Sequence, residues 1–299
     1  MTSEAVKELV KSASGAPFTG IAKAAPVAAE DTDRYRSWIS TGHHGCMDYM
    51  TRYDDVRADP RMLLDGACSI IVAAFPYFHP DPPLPSRRRI ARYARGEDYH
   101  AVVRRRLNSA VDVMKETLGG EYRVCVDTAP LRERYWAVRA GLGFIGRNNT
   151  LIIPGAGSYF FLGEIITTLP LTPDEPCSLS CGDCGRCVRA CPVRALDGNG
   201  ALDASRCLSC VTIEQRGPLP PGTRLHGRLA GCDTCQEVCP HNSVKHTAGL
   251  PEFAPTNPLL TLTDAELDAA DEAVVRPLLK RSALSRIKPA DFLRNIRLS

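Results

Sequence analysis

Along residues 1–172 the apolar positions change period several times, and each change marks an element. Ala29–Ser40 reads as a helix. Ser69-Ile70-Ile71-Val72-Ala73-Ala74-Phe75 is a continuous apolar run stopped by Pro76, the pattern of a buried strand. From Tyr99 to Lys115 the spacing turns helical, with Val102, Val103, Leu107, Val111 and Met114 on one side. Tyr122–Val126 predicts another strand, with Asp127 at its end, and Leu151–Ile153 and Tyr159–Thr167 predict two more. Asp81-Pro82-Pro83-Leu84-Pro85 is a loop, and Gly141-Leu142-Gly143-Phe144-Ile145-Gly146 a tight one. Helices and strands mixed in this way predict an α/β or α+β domain.

Leu171-Thr172-Pro173-Asp174-Glu175-Pro176 reads as a linker, so the first domain is expected over residues 1–172. A cysteine-rich module follows at 173–250, and a short helical tail at 251–299. In the tail, Thr263-Asp264-Ala265-Glu266 has the form of a capping box and predicts a helix start. No tandem repeat is visible apart from a duplicated cysteine motif.

Composition narrows the class. Of 299 residues, 44% are hydrophobic and 24% charged, which suits a globular chain and leaves no run near the ~18 apolar residues of a membrane span. Met1–Gly20 has no basic stretch leading into an apolar one, so an unprocessed cytoplasmic protein without a membrane partner is expected. The net charge of +3 is too small to argue for nucleic acid, but its distribution is uneven. Arg87, Arg88, Arg89, Arg92 and Arg95 cluster, as do Arg104, Arg105 and Arg106. The end of the chain holds Arg276, Lys280, Arg281, Arg286, Lys288, Arg294 and Arg297 against the single acid Asp291. Such a face suits phosphates, while on charge alone ordinary solvated helix surface is the favoured reading.

The cysteines change the picture most. Ten of the thirteen fall between Cys177 and Cys239, a density that in a reducing compartment means metal. Cys181-x2-Cys184-x2-Cys187-x3-Cys191-Pro192 has the bacterial-ferredoxin spacing, in which three cysteines wrap one 4Fe–4S cube and the fourth reaches the other. Cys232-x2-Cys235-x3-Cys239-Pro240 repeats it in part, with Cys207 upstream. The expected ligands are Cys181, Cys184, Cys187 and Cys239 for cluster 1, and Cys207, Cys232, Cys235 and Cys191 for cluster 2. Paired zinc sites are the competing reading, but zinc knuckles group cysteines in pairs of CxxC and this order does not divide so. Cys210 stands three residues after Cys207 and is an alternative ligand; Cys177 is unassigned. Cys46, Cys68 and Cys125 are isolated, and the last two, beside apolar runs, are expected in buried packing.

A ferredoxin needs only the cluster module, and here a whole domain precedes it. Gly141–Gly146 spells GxGxxG but follows a helical stretch rather than a strand, which makes it weak for dinucleotide binding. Several segments, however, resemble the epoxyqueuosine reductase family. They include Gly45-Cys46-Met47-Asp48-Tyr49-Met50, Arg57-Ala58-Asp59-Pro60-Arg61, Arg92-Tyr93-Ala94-Arg95-Gly96-Glu97-Asp98-Tyr99-His100 and Val126-Asp127-Thr128-Ala129-Pro130-Leu131-Arg132-Glu133-Arg134. Ala140–Asn148, Phe161-Leu162-Gly163-Glu164, Thr212-Ile213-Glu214 and Gly231–Pro240 continue the match.

The resemblance implies a mixed α/β cobalamin-binding domain, then a ferredoxin-like module with two 4Fe–4S clusters, then a short tail. It implies reduction of epoxyqueuosine to queuosine at the tRNA wobble position. Base-off cobalamin would lie between domain and module, reduced through the clusters, and cobalt would attack the epoxide. Asp127 matches the family's acid, and opening an epoxide needs a proton donor within reach of the oxygen. Arg57, Tyr99, His100, Asn148, Thr150, Ser158 and Ser209 fall in or beside matched segments and are expected to line the corrin or substrate pocket with Asp127. His100 is expected in a polar role and not as a cobalt ligand, and no DxHxxG cobalamin motif is present. The implied partners are tRNA carrying epoxyqueuosine and an external ferredoxin- or flavodoxin-type reductant, with the chain acting as a monomer. Cys210, where the family is expected to carry an aromatic residue, and Cys177 depart from its pattern. The HEAT-like extension of longer members is not expected here, so any tRNA grip from it would fall to the basic tail and the arginine clusters, or be weaker. Two other readings stay open: a dehalogenase-like corrinoid reductase of a small molecule, and a ferredoxin-type electron carrier.

Overall fold

The computed structural model describes residues 1–243, 248–280 and 282–299. Arg281 of the basic tail therefore lies outside the described residues. The helices are α1 Ser3–Ser14, α2 Ala29–Ser40, α3 Asp54–Ala58, α4 Tyr99–Leu118, α5 Glu133–Arg139, α6 Arg186–Ala190, α7 Leu208–Ile213, α8 Thr234–Glu237, α9 Asp264–Ala269, α10 Glu272–Leu279 and α11 Pro289–Leu298. The strands are β1 Phe18–Lys23, β2 Ser69–Pro76, β3 Arg89–Ile90, β4 Tyr122–Cys125, β5 Phe144–Ile145, β6 Leu151–Ile152, β7 Phe160–Thr167 and β8 Arg228–Ala230. No described helix is long and apolar enough to cross a membrane.

Four strands form the central sheet in the order β1-β2-β7-β4, antiparallel throughout. Every position of β2 is buried, which is why its sequence is apolar without alternation. Ile71, Ala73 and Phe75 pack with Val6 and Val10 of α1 and Val103 and Leu107 of α4. Ile70, Val72 and Ala74 face the other way, against Trp136 and Ala137 of α5. The result is a three-layer α+β domain. Its α4 begins at a cap, Asp98 accepting from the His100 N–H, and lies close on β7. A Cβ at Gly163 would come within 2.7 Å of both Leu107 and Val103.

The glycine-rich stretch leads out of α5 into the β5–β6 hairpin. Gly143 is needed there because a Cβ would meet the Ile152 carbonyl oxygen at 2.1 Å. Close backbone packing, and no phosphate-binding turn, accounts for these glycines.

The second half is built onto the first. β8 pairs in parallel with β3, so the cluster module completes a two-stranded sheet begun before α4. Residues 251–299 are no free tail. Leu259, Leu267, Val275, Leu279, Phe292 and Ile296 share one core with Ile90, Ala94, Leu229 and Ala230. Asn295, fully buried, donates from Nδ2 to the carbonyls of Thr212 and Leu229 at 2.8 Å each. The capping box at Thr263 forms as expected.

Packing also uses up many of the arginines expected to offer a phosphate-binding face. Arg88 pairs with Asp268 at 2.7 Å, Arg92 and Arg95 both with Asp81, and Arg106 with Glu252 at 2.7 Å. In the tail, Arg286 pairs with Glu214 at 2.6 Å, and Arg294 is buried among the carbonyls of Gln215, Gly217 and Val211. These side chains hold segments together. The basic surface is smaller than the charge pattern suggested.

Candidate active site

β4 ends at Cys125, and the chain leaves the sheet through Val126 and Asp127. Asp127 adopts a left-handed backbone, φ 50°, a conformation Asp tolerates better than most residues. Its half-exposed side chain meets the first turn of α4, where Oδ2 lies 2.9 Å from Nε2 of His100. The opposite ring nitrogen, Nδ1, lies 2.6 Å from Oδ1 of the capping Asp98. The imidazole is stacked on Tyr99 at 4.0 Å, and Tyr99 on Phe161 of β7 at 4.2 Å. Burial works against a charged ring, yet the hydrogen bonds to Asp127 and Asp98 outweigh it and carry His100 up to about 9. At neutral pH it is an imidazolium donating to two carboxylates.

Two further acids stand behind Asp127. Oε1 of Glu133, at the start of α5, accepts the Asp127 N–H at 2.5 Å. Burial and the Asp127 charge push Glu133 up to about 8. Glu164, opposite Cys125 on β7, is fully buried, and among the described residues neither of its oxygens has a hydrogen-bond partner. Burial, then the Glu133 charge, raises it well above the carboxylate range, so it stands as a neutral acid. The environment thus splits a group of acids and one imidazole into proton holders and an ionised pair, the condition for acid–base work.

The facing wall comes from elsewhere in the chain. The Arg286 guanidinium lies 4.9 Å above the Tyr49 ring while its Nε donates to Glu214 at 2.6 Å. The Asp127 charge reaches Tyr49, Tyr93 and Arg286. Asp127 therefore stands within electrostatic reach of Tyr49 and Tyr93, of Arg286 in the tail and, through Arg286, of Glu214 in the cluster module.

The thiols fall into two groups. Cys181, Cys184, Cys187 and Cys239 line one small pocket, together with Arg147 and Asn148. Cys207 lies within electrostatic reach of Cys232 and Cys191, and Cys235 within reach of Cys232 and Cys207. Cys191 and Cys239 have changed places between the two motifs, as crossing ligands do. The Ala195 N–H points at the Cys191 sulfur at 3.3 Å, the kind of contact that tunes a cluster. A single tetrahedral zinc with Zn–S bonds of about 2.3 Å would hold its sulfurs about 3.8 Å apart. Among the described residues no three side chains converge so as to hold a single ion. Thiols spread around a cavity are the arrangement a cube needs.

The remaining cysteines lie elsewhere. Cys210 faces Cys46, sulfur to sulfur at 3.9 Å. Cys177 packs beside Phe144, Ile152 and Cys239. Cys125 is buried as expected, but Cys68 is exposed, because it precedes β2 where the chain is still at the surface.

The other expected pocket residues separate into distinct places. Tyr99 and His100 join Asp127. Asn148, buried at the thiol cavity, accepts from the Thr150 hydroxyl at 2.8 Å. Ser158 is buried, its hydroxyl engaged by Gln236 at 3.0 Å and Asn242 at 2.9 Å, so it clamps the two modules together and faces no open pocket. Arg57 ends α3 and donates to the Arg52 carbonyl. Ser209 is half-buried on α7 between Cys207 and Cys210. Sequence reasoning missed Asp98 as the second partner of His100, Glu133 as the acceptor of the Asp127 N–H, and Glu164 as the buried acid nearby. All three lie inside the quoted segments, but nothing local says that they converge.

Comparison with known proteins agrees with this layout. The family model described as "Epoxyqueuosine reductase QueG, DUF1730" matches residues 57–128, and a 4Fe-4S double cluster binding domain matches residues 180–242. The epoxyqueuosine reductase of Cyclobacterium marinum is 39% identical over 292 residues, covering 94% of this chain and 92% of that protein. That of Synechococcus sp. (strain CC9605) is 40% identical over 270 residues, covering 88% and 83%. A crystal structure of epoxyqueuosine reductase with an epoxyqueuosine-modified tRNA-Tyr stem loop superposes with TM-score 0.88 at 34% identity, over 99% of this chain and 80% of that one. The Bacillus subtilis enzyme, solved with its catalytic aspartate loop swung out of the active site, gives TM-score 0.87 at 32% identity over the same shares. A catabolic reductive dehalogenase at TM-score 0.50 and 16% identity, over 98% of this chain and 35% of that one, shares the fold alone. With two iron–sulfur clusters in its second module and this degree of identity along almost its whole length, the chain belongs to the epoxyqueuosine reductase family.

Proposed function

We propose that this protein reduces epoxyqueuosine to queuosine in tRNA, with cobalamin held in the cleft in front of Asp127 and electrons supplied through the two 4Fe–4S clusters. The observation that carries the reading is the hydrogen-bonded row Asp127–His100–Asp98, with Tyr49 under the influence of Asp127, of Arg286 and of Glu214 in the cluster module. Converting an epoxide to an alkene breaks two C–O bonds, takes up two electrons and two protons, and releases water. Two one-electron clusters match the electron count.

The residues present fit a base-off corrin. Both nitrogens of His100 are occupied by carboxylates, so it does not ligate cobalt. Tyr49, Tyr93, Tyr99 and Arg286 would hold the group. When bound, cobalamin supplies a low-valent, strongly nucleophilic metal for opening the epoxide. Asp127 delivers the proton to the departing oxygen, taking it from the His100 imidazolium 2.9 Å behind it. The second proton enters from solvent and recharges the same pair. Glu133 fixes the Asp127 loop through the backbone N–H. The wobble nucleotide reaches the cleft by unstacking from its loop, as single-stranded RNA permits. This substrate makes the cytoplasm the place of action, with an external one-electron carrier as reductant.

The test is anaerobic reconstitution with iron, sulfide and cobalamin, then nucleoside analysis of tRNA bearing epoxyqueuosine. Queuosine should accumulate only when both cobalamin and reductant are present. Failure to retain cobalamin under reducing conditions, or turnover without it, would overturn the proposal.

A further inference from the structure

Electrons have to reach the clusters before they reach the cleft, and the two thiol groups are not equally placed to receive them. The cluster 2 group adjoins the cleft, since α7 starts directly after Cys207 and carries Cys210 against Cys46. The cluster 1 group adjoins open surface. Cys239 and Pro240 line an open depression whose rim includes Arg186 and Arg189 of α6, the helix that carries Cys187. Cys239 also lines the inner cavity with Cys181, Cys184 and Cys187. One cysteine therefore separates the depression from the site of cluster 1.

Several arginines of this chain are tied down by acids or carbonyls, as Arg88, Arg106, Arg286 and Arg294 are. Arg186 and Arg189 are exposed, and among the described residues neither has an ion-pair partner. Glu237, on the same rim, is taken by Arg228 at 3.5 Å. Asp183, in the neighbouring loop, is exposed and pairs with neither arginine. Arg189 folds back over Gly185, where an added Cβ would meet its Nη1 at 2.8 Å. The rim carries two free positive charges over Cys239, which lines both the depression and the inner thiol pocket.

We propose that the Arg186–Arg189 face over Cys239 is where electrons arrive, and that its partner is a small acidic one-electron carrier of the flavodoxin or ferredoxin type. This rests on the proposed function, which assigns a cluster to Cys181, Cys184, Cys187 and Cys239. Complementary charge steers such transient redox encounters and raises their on-rate at low salt, and the interfaces they form are small. The path runs from the surface through cluster 1 to cluster 2 and the cleft.

The experiment uses the reconstituted holoenzyme, with Arg186→Glu/Arg189→Glu beside the wild type and an Arg186→Lys/Arg189→Lys control. Cluster bleaching is followed by stopped flow with fully reduced bacterial flavodoxin, and separately with reduced methyl viologen. The charge swap should slow reduction by flavodoxin at least tenfold at low salt, with the deficit shrinking as salt rises. Reduction by viologen should not slow, and the lysine control should stay near wild type. An unchanged flavodoxin rate would show that the carrier docks elsewhere. Equal losses with both reductants, or an altered electron paramagnetic resonance signal of the reduced cluster, would mean that the arginines serve the cluster itself. Weakened tRNA binding with a normal flavodoxin rate would make the face an RNA surface. Wild-type protein that takes up no cluster would overturn the proposed function and this port with it.

Discussion

Replacing His100 with Phe keeps a planar ring against Tyr99, 4.0 Å away, but removes both nitrogens from between Asp98 and Asp127. The rise of His100 from 6.5 to about 9 corresponds to ~3.4 kcal/mol, taking about 1.36 kcal/mol per pH unit. Asp127 is half in water, so screening leaves about 1–2 kcal/mol of that. A histidine raised by folding contributes its full stability below 6.5 and loses it as the pH climbs through about 9. Wild type should therefore exceed His100→Phe in apparent unfolding temperature by roughly 3–6 °C at pH 6, and the gap should close by pH 10. Both proteins must carry equal cluster loading. Turnover on epoxyqueuosine tRNA should show an alkaline limb near 9 in the wild type and none in the variant, whose rate is lower throughout. A gap equal at pH 6 and pH 10, or a wild-type rate flat from pH 8 to pH 10, would refute the imidazolium assignment.

Other substitutions separate chemistry from architecture. Asp127→Asn should retain both clusters, cobalamin and tRNA binding but lose about 10²–10⁴-fold in turnover, measured by nucleoside analysis. Ser158→Ala strips a shared partner from the buried Gln236 and Asn242 amides and should cost about 1–3 kcal/mol in denaturant unfolding. Cys210→Ser should leave iron per chain unchanged, whereas Cys187→Ser should lower it, because Cys210 faces Cys46 while Cys187 lines the thiol cavity. Iron and sulfide assay of the reconstituted proteins decides between these outcomes.

Much of this molecule can be read along the chain. The strand at Ser69–Pro76, the helix at Ala29–Ser40 and the start of α4 at Tyr99 follow local periodicity and caps, and the structure places them there. α1 and β1 were not foreseen, although Thr2 caps α1 and Val6 and Val10 form its buried side. The expected alternation of helix and strand gave no hint that the sheet pairs antiparallel throughout. The apolar run of β2 says that both its faces are covered, and says nothing of strand direction.

The charges show the same division from another side. In sequence, the arginine clusters looked like a surface for phosphates. In the structure, Arg95 reaches Asp81 across 14 residues and Arg286 reaches Glu214 across 72, and both serve as internal ties. Arg186 and Arg189, in an unremarkable part of the sequence, are the ones left facing solvent over a cluster ligand.

By itself the sequence determined the spacing of the two cysteine motifs, the place of Asp127 just past β4 and most of the regular elements, because spacing and periodicity act over a few residues. Tertiary structure alone decided that His100 meets Asp127 across 27 residues and Cys210 meets Cys46 across 164. It also decided that Glu133 and Glu164 are withdrawn from water behind the acid. Proton affinity and free charge depend on which distant groups share a low-dielectric neighbourhood, and only the packed chain brings those groups together.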